Sequence, residues 1–154
     1  MTDVKELIQA KVKSIGAKRE ALMPILQAIV EEKNHLSEED MIQVAESLDL
    51  STADVYGTAT FYTFLDTVPR GKFVIRVCKT ISCHMAGKDE IIETLKDLLK
   101  IDVGETTPDK KFTLMQANCM GWCHKGPVML VNDDIYTELT KEKVIKIIHD
   151  YMGS

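Results

Sequence analysis

The chain has 154 residues, 45% of them apolar, with 19 basic side chains against 24 acidic ones and a net charge of −5. That length and apolar share exclude a disordered tail and a disulfide-stapled miniprotein, and the acidic balance excludes a general nucleic-acid binder, which needs a basic face to displace counterions. The longest apolar stretch, residues 21–30, is interrupted by Pro24 and Gln27 and falls short of the roughly 18 residues a membrane span requires, so no direct membrane insertion is expected.

Val4, Leu7, Ile8, Val12 and Ile15 recur at helical spacing and predict a first helix over 1–16, stopped by Gly16. This N-terminus has neither signal-peptide nor transit character, so a cytoplasmic location is expected. A second helix is expected over 20–34, with Leu22, Ile25, Leu26, Ile29 and Val30 inward and Pro24 tolerated in its first turn. Ser37-Glu38-Glu39-Asp40 and Ser51-Thr52-Ala53-Asp54 both place a hydroxyl three residues before an acid, the capping-box spacing that starts two further helices. Residues 1–67 therefore read as a helical bundle.

Val68-Pro69-Arg70-Gly71 punctuates the chain, and a different pattern follows over 68–154. Residues 72–78 and 111–117 read as strands, and 88–100 as a helix with Ile91, Ile92, Leu95 and Leu99 on one face. Residues 128–131 and 135–138 flank Asn132-Asp133-Asp134 as a hairpin, and Thr140 caps a last helix. The order β-α-β-β-β-α predicts a small mixed sheet with helices packed on it, so the fold class is α+β.

All four cysteines lie in this second part, as Cys78-x4-Cys83 and Cys119-x3-Cys123. Each pair follows a predicted strand and is expected in a loop, where thiolates from neighbouring strand ends can converge. Spacing favours an iron–sulfur cluster first; zinc, thiol–disulfide chemistry and inert buried cysteines stay open. Gly87, Gly121 and Gly126-Pro127 would let backbone amides approach the sulfurs. The helix starting near Gly87 is expected to turn its positive end to the site, and Lys79 and Lys125 could offset cluster charge. His84 and His124 read as exposed or supporting groups, because the four cysteines already fill a ligand set. Trp122 reads equally as a shield for the site or as an anchor for a partner.

These residues carry a resemblance. Cys78-x4-Cys83-x3-Gly87 with Cys119-Met120-Gly121-Trp122-Cys123-x3-Pro127-x4-Asn132 resembles the thioredoxin-like [2Fe–2S] ferredoxin family. That family supplies the small subunit of complex I-type NADH dehydrogenases, NAD(P)-linked [FeFe]-hydrogenases and NAD-dependent formate dehydrogenases. Leu22-Met23-Pro24-Ile25-Leu26, Val55-Tyr56-Gly57-Thr58-Ala59-Thr60-Phe61-Tyr62 and Pro69-Arg70-Gly71-Lys72 are similar to family segments, so the likeness spans most of the chain. It implies a thioredoxin-like domain over 68–154 holding one [2Fe–2S] cluster, with Cys78, Cys83, Cys119 and Cys123 as ligands and no catalytic residue. It also implies a docking role for 1–67 and two kinds of partner: a flavin- and NAD(P)H-binding subunit, and a further iron–sulfur or catalytic subunit. Ala86, Trp122 and Gly126 depart from the arginine and alanines common at those places, so the resemblance carries over the ligand set but neither the potential nor the local packing.

Three rival functions follow from the same residues. Residues 37–62 are spaced like a helix-turn-helix, but hold six acids and no Lys or Arg, which leaves nothing to position them on phosphates. A thiol oxidoreductase would use C-x-x-C rather than a four-residue gap, and a zinc-stabilised interaction module fits the same four thiols. No G-x-G-x-x-G or Walker loop is present, so the chain is expected to be an electron-transfer subunit without an active site of its own. Its shortness and its lysine bias point to a hydrogenase of the NAD(P)-linked kind, including electron-bifurcating forms, ahead of complex I or formate dehydrogenase.

Overall fold

The computed structural model describes residues 4–16 and 18–153, so the expected first turn at 1–3 lies outside the described residues. The chain divides into two units, Met1–Pro69 and Arg70–Ser154.

In the first unit, α1 (Val4–Ile15) buries Ile8, with Val4, Leu7 and Val12 half-buried around it. Ile15 ends the stripe in solvent, and Gly16 closes the helix with a φ of 115°. The single helix expected over 20–34 is instead a 3₁₀ turn, Arg19–Ala21, leading into α2 (Leu22–Lys33). Pro24 lies in the first turn of α2, where an amide has no intrahelical partner to lose. Leu22, Ile25, Leu26 and Ile29 form the centre of this unit's core, together with Leu36, Val44 and Val55.

Helix α3 (Glu38–Leu48) opens with both halves of its capping box. The Ser37 hydroxyl accepts from the Asp40 amide at 3.2 Å, and the Asp40 carboxylate accepts from the Ser37 amide at 3.0 Å. The same carboxylate receives Lys33 Nζ at 2.7 and 2.8 Å. Burial pushes the Asp40 carboxyl up, but Lys33 and the Ser37 hydroxyl and amide outweigh it and hold it below the usual carboxylate range. Helix α4 (Thr52–Phe61) has half a box. Ser51 accepts from the Asp54 amide at 3.1 Å, while the Asp54 carboxylate accepts from the Ser51 hydroxyl rather than its amide.

The second unit has a four-stranded sheet in the order β2-β1-β3-β4, built from β1 (Phe73–Cys78), β2 (Phe112–Ala117), β3 (Met129–Val131) and β4 (Asp134–Tyr136). Strands β1 and β2 are parallel, and the other two pairings are antiparallel. As an inner strand, β1 is buried along its whole length, which is why its residues do not alternate between apolar and polar. At the hairpin, Asn132 takes a φ of 52°, and its side chain accepts from the Val74 amide at 2.8 Å, tying the turn back to β1. Gly71 enters β1 against the Phe112 backbone, where a Cβ would sit 2.9 Å away, so only glycine fits.

Helices α6 (Lys88–Leu99) and α7 (Lys141–Met152) cover the sheet with Ile91, Leu95, Val144 and Ile148. Thr140 caps α7 by accepting from the Lys143 amide at 3.3 Å. The fold class is α+β, with one α-helix more than the sequence predicts: α5 (Ile81–Met85) stands between β1 and α6. Among the described residues no helix is long and apolar enough to cross a membrane.

Candidate metal centre

Parallel pairing explains how two cysteine pairs far apart in sequence meet. Cys78 ends β1 opposite Ala117, the last residue of β2, so the chain leaves both strands at one end of the sheet. Cys119 follows two residues past β2. Cys83 is not in a loop as expected: it lies in α5, which folds it back beneath the end of β1 and buries it. Cys123 opens a 3₁₀ turn, Cys123–Lys125. Between Cys119 and Cys123, Gly121 takes a φ of 87°, a left-handed bend that side chains resist. The bend brings the two sulfurs to 3.1 Å, and the Gly121 amide donates to Cys119 Sγ at 3.4 Å.

The thiols are grouped two and two. Cys78 and Cys83 are 2% and 1% exposed and share a hydrogen bond, whereas Cys119 and Cys123 are both exposed. The pairs meet through each other's neighbours: the Met120 amide, next to Cys119, donates to Cys78, and the Ser82 hydroxyl, next to Cys83, donates to Cys123. Burial pushes the Cys78 thiol up, but donors outweigh it: the Thr80 hydroxyl and amide, the Cys83 thiol and the Met120 amide hold it below the usual thiol range. Cys78 Sγ and Thr80 Oγ1 are 3.1 Å apart. Cys83 is raised by burial and by its bond to Cys78, against the Val128 amide. Cys123 is raised mainly by its contact with Cys119, and the Ser82 hydroxyl opposes this.

This donor set fits a two-iron cluster. Such a cluster asks for two thiolates at each iron and for amides aimed at the sulfurs, and Gly121, Met120 and Val128 supply amides here. Among the described residues no three His, Cys, Asp or Glu groups are gathered closely enough to hold one metal ion between them.

His84 and His124 are both exposed, as the sequence suggested, and each makes a contact of its own. His84 Nδ1 is 2.8 Å from an Asp89 carboxylate oxygen, and His124 stacks on Trp122 with ring centroids 5.9 Å apart. Lys125 Nζ lies 5.7 Å from the Trp122 ring centroid, and the ring itself is 38% exposed. The first turn of α6 carries its own acids, Asp89 and Glu90, which answer its positive end. Gly126 lies against one thiol: a Cβ there would be 3.4 Å from Cys83 Sγ and 3.3 Å from Ala86 Cβ. The departures at 86 and 126 are therefore one compact contact. Sequence reasoning missed Thr80 and Ser82, whose signal is a hydroxyl on either side of Ile81, between the first two cysteines.

The family model described as thioredoxin-like [2Fe–2S] ferredoxin matches residues 8–152. NADH-quinone oxidoreductase subunit 2 of Thermus thermophilus is 37% identical over 79% of this chain and 67% of its own length. The NADP-reducing hydrogenase subunit HndA of Solidesulfovibrio fructosivorans is 33% identical over 96% of this chain and 85% of its own. An NADH-quinone oxidoreductase subunit of Rhizobium meliloti is 34% identical over 98% and 90%. A crystal structure of an NAD+-reducing [NiFe]-hydrogenase superposes with a TM-score of 0.73 at 20% identity, a likeness of fold over 83% of this chain. The chain spans 22% of that hydrogenase chain.

Proposed function

The chain belongs to the thioredoxin-like [2Fe–2S] ferredoxin family, and from that premise we propose that Cys78, Cys83, Cys119 and Cys123 hold its one [2Fe–2S] cluster and pass single electrons to and from a flavin- and NAD(P)H-binding partner. It is an electron-transfer subunit of the kind found in NADH-quinone oxidoreductase and NADP-reducing hydrogenase complexes. The observation that carries the ligand assignment is the two-and-two grouping of thiols at the shared end of β1 and β2.

Bound there, the cluster would supply a one-electron couple whose potential depends on charge, hydrogen bonding and exposure. The chain's own residues set each of these. Thr80, Met120 and Gly121 donate to sulfurs and stabilise thiolate charge. Cys78 and Cys83 keep one side dry, while Cys119 and Cys123 open the other to a partner. The domain at 68–154 carries the electrons. The domain at 1–67 docks, in support of which Tyr56, Phe61, Tyr62 and Phe64 stand exposed along and just after α4. A cytoplasmic location belongs to the same reading.

The assembly we propose is an NAD(P)-linked [FeFe]-hydrogenase, including its electron-bifurcating forms, with a further iron–sulfur or catalytic subunit. The near-full-length likeness to HndA supports it. A complex I-type assembly is the second reading, favoured by the equally full match to the Rhizobium meliloti protein.

The test is iron, sulfide and zinc content with EPR on the anaerobically purified, dithionite-reduced chain. About two irons and two sulfides with a rhombic S = 1/2 signal are expected. One zinc without a signal would replace this reading with a structural knuckle. Co-purification with a hydrogenase catalytic subunit, or with quinone-reducing subunits, then separates the two assemblies.

A further inference from the structure

We propose that, before a cluster is loaded, Cys119 and Cys123 form a redox-controlled dithiol that closes to an intramolecular disulfide, while Cys78 and Cys83 stay reduced, and that this disulfide bars loading. The part of the proposal concerning loading rests on the ligand reading above; the part concerning the bond does not.

The two pairs differ in access. Thiol–disulfide exchange needs a sulfur that an external disulfide can approach, followed by a second thiol near enough to displace the mixed intermediate. Cys119 and Cys123 are both exposed with their sulfurs 3.1 Å apart. Gly121, with its φ of 87°, holds the bend that apposes them. Cys78 and Cys83 are also neighbours, but at 2% and 1% exposure neither admits an attacking disulfide. Cys78 is further held by Thr80 at 3.1 Å.

The chemistry balances with a small disulfide, such as oxidised glutathione, as oxidant. One sulfur of the exposed pair attacks it, forming a mixed disulfide and releasing one oxidant thiol. The second sulfur displaces the other half, releasing the second thiol. The pair loses two electrons and two protons, and the oxidant gains both. Only two free thiols then remain at the site, too few for four ligand positions.

The experiment uses the full chain, freed of metal and reduced, then exposed to oxidised glutathione and digested with trypsin. Cys119 and Cys123 fall on one tryptic peptide, 112–125, whereas Cys78 and Cys83 fall on 77–79 and 80–88. The expected result is peptide 112–125 lighter by two hydrogens, with both other thiols alkylatable. Iron uptake from ferrous iron and sulfide should be lost and then restored by dithiothreitol. In the Cys119→Ser chain, Cys123 should instead retain glutathione as a stable adduct.

A bond between 77–79 and 80–88, a bond across the pairs, or four thiols that persist would overturn the proposal. So would undiminished iron uptake by a chain whose 119–123 bond is mapped. If the fully reduced chain takes up no iron, the cluster reading fails instead, and the mapped bond still decides the disulfide.

Discussion

The two units use their polar and exposed groups in opposite ways. In the helical unit, buried or half-buried polar groups close local structure: Ser37 and Asp40 satisfy the start of α3, and Lys33 neutralises that acid. Its exposed aromatics, Tyr56, Phe61, Tyr62 and Phe64, lie along and just after α4, a segment without cysteine. In the sheet unit, the two most exposed apolar residues, Ile81 and Met85, and Trp122 lie on the segments that carry the thiols, while Val103, Ile135 and Met152 are exposed elsewhere. Both units have closed cores, so packing does not separate them. The difference lies in what the backbone leaves at the surface: contact area alone in one, contact area beside redox groups in the other.

The largest effect that would break this contrast comes from the thiols. Cys83→Ser exchanges a soft ligand for a hard one at a buried position. Loss of essentially all bound iron is expected, with far-UV helix content retained. Iron content unchanged from the parent would remove Cys83 from the ligand set.

Core truncation should treat the units alike. Leu26→Ala in α2 and Leu95→Ala in α6 each empty a fully buried site, and each should cost about 2–5 kcal/mol in urea unfolding. A much smaller loss in either would mark that core as loosely packed.

Asp40→Asn sharpens the comparison by testing polar groups that only build structure. It removes charged hydrogen bonds to Lys33 and Ser37, at a cost of about 2 kcal/mol at neutral pH. The sign of the pH dependence follows from the direction of the shift. The folded-state carboxyl is held below its unfolded value, so its contribution is full above the unfolded value of about 3.9. It is lost as pH falls from there through the folded value. The stability difference between parent and variant should therefore shrink in acid; a constant difference across that window would mean that the charge contributes nothing.

Surface changes should have the smallest effect on stability and discriminate by partner. Phe61→Ala, at 77% exposure, should shift stability by less than about 0.5 kcal/mol while weakening association with the partner subunit. Trp122→Ala should weaken association or shift the reduction potential, read by pull-down and redox titration. If neither moves, its stacking on His124 is only local packing.

Much of the fold is legible in the sequence because local chemistry writes it. Ser37 and Ser51 mark their helices, Asn132 its hairpin, and Pro24 a first turn. Helix α5 escapes because five residues cannot display a helical period, and its large residues run against the usual rule. Ile81 and Met85 are 69% and 83% exposed, so the apolar pattern points to no buried face. The four cysteines stand out by spacing, but their meeting does not, since it depends on the parallel pairing of β1 with β2. The thiol partners Thr80 and Ser82 are hidden for the same reason as α5: their roles come from the turn that follows Cys78, not from any repeat.

The parallel register has a mechanical meaning. Six rungs, from Phe73 opposite Phe112 to Cys78 opposite Ala117, act as a ruler that fixes how far the second thiol pair projects beyond the first. A slip of one rung would carry Cys119 along the strand by about 3.3 Å, a distance as large as the 3.1 Å between neighbouring sulfurs. It would also turn Ala117 to the opposite side of the sheet. Insertions in the crossover between the strands leave this ruler untouched, whereas a single residue added within β2 miscalibrates it.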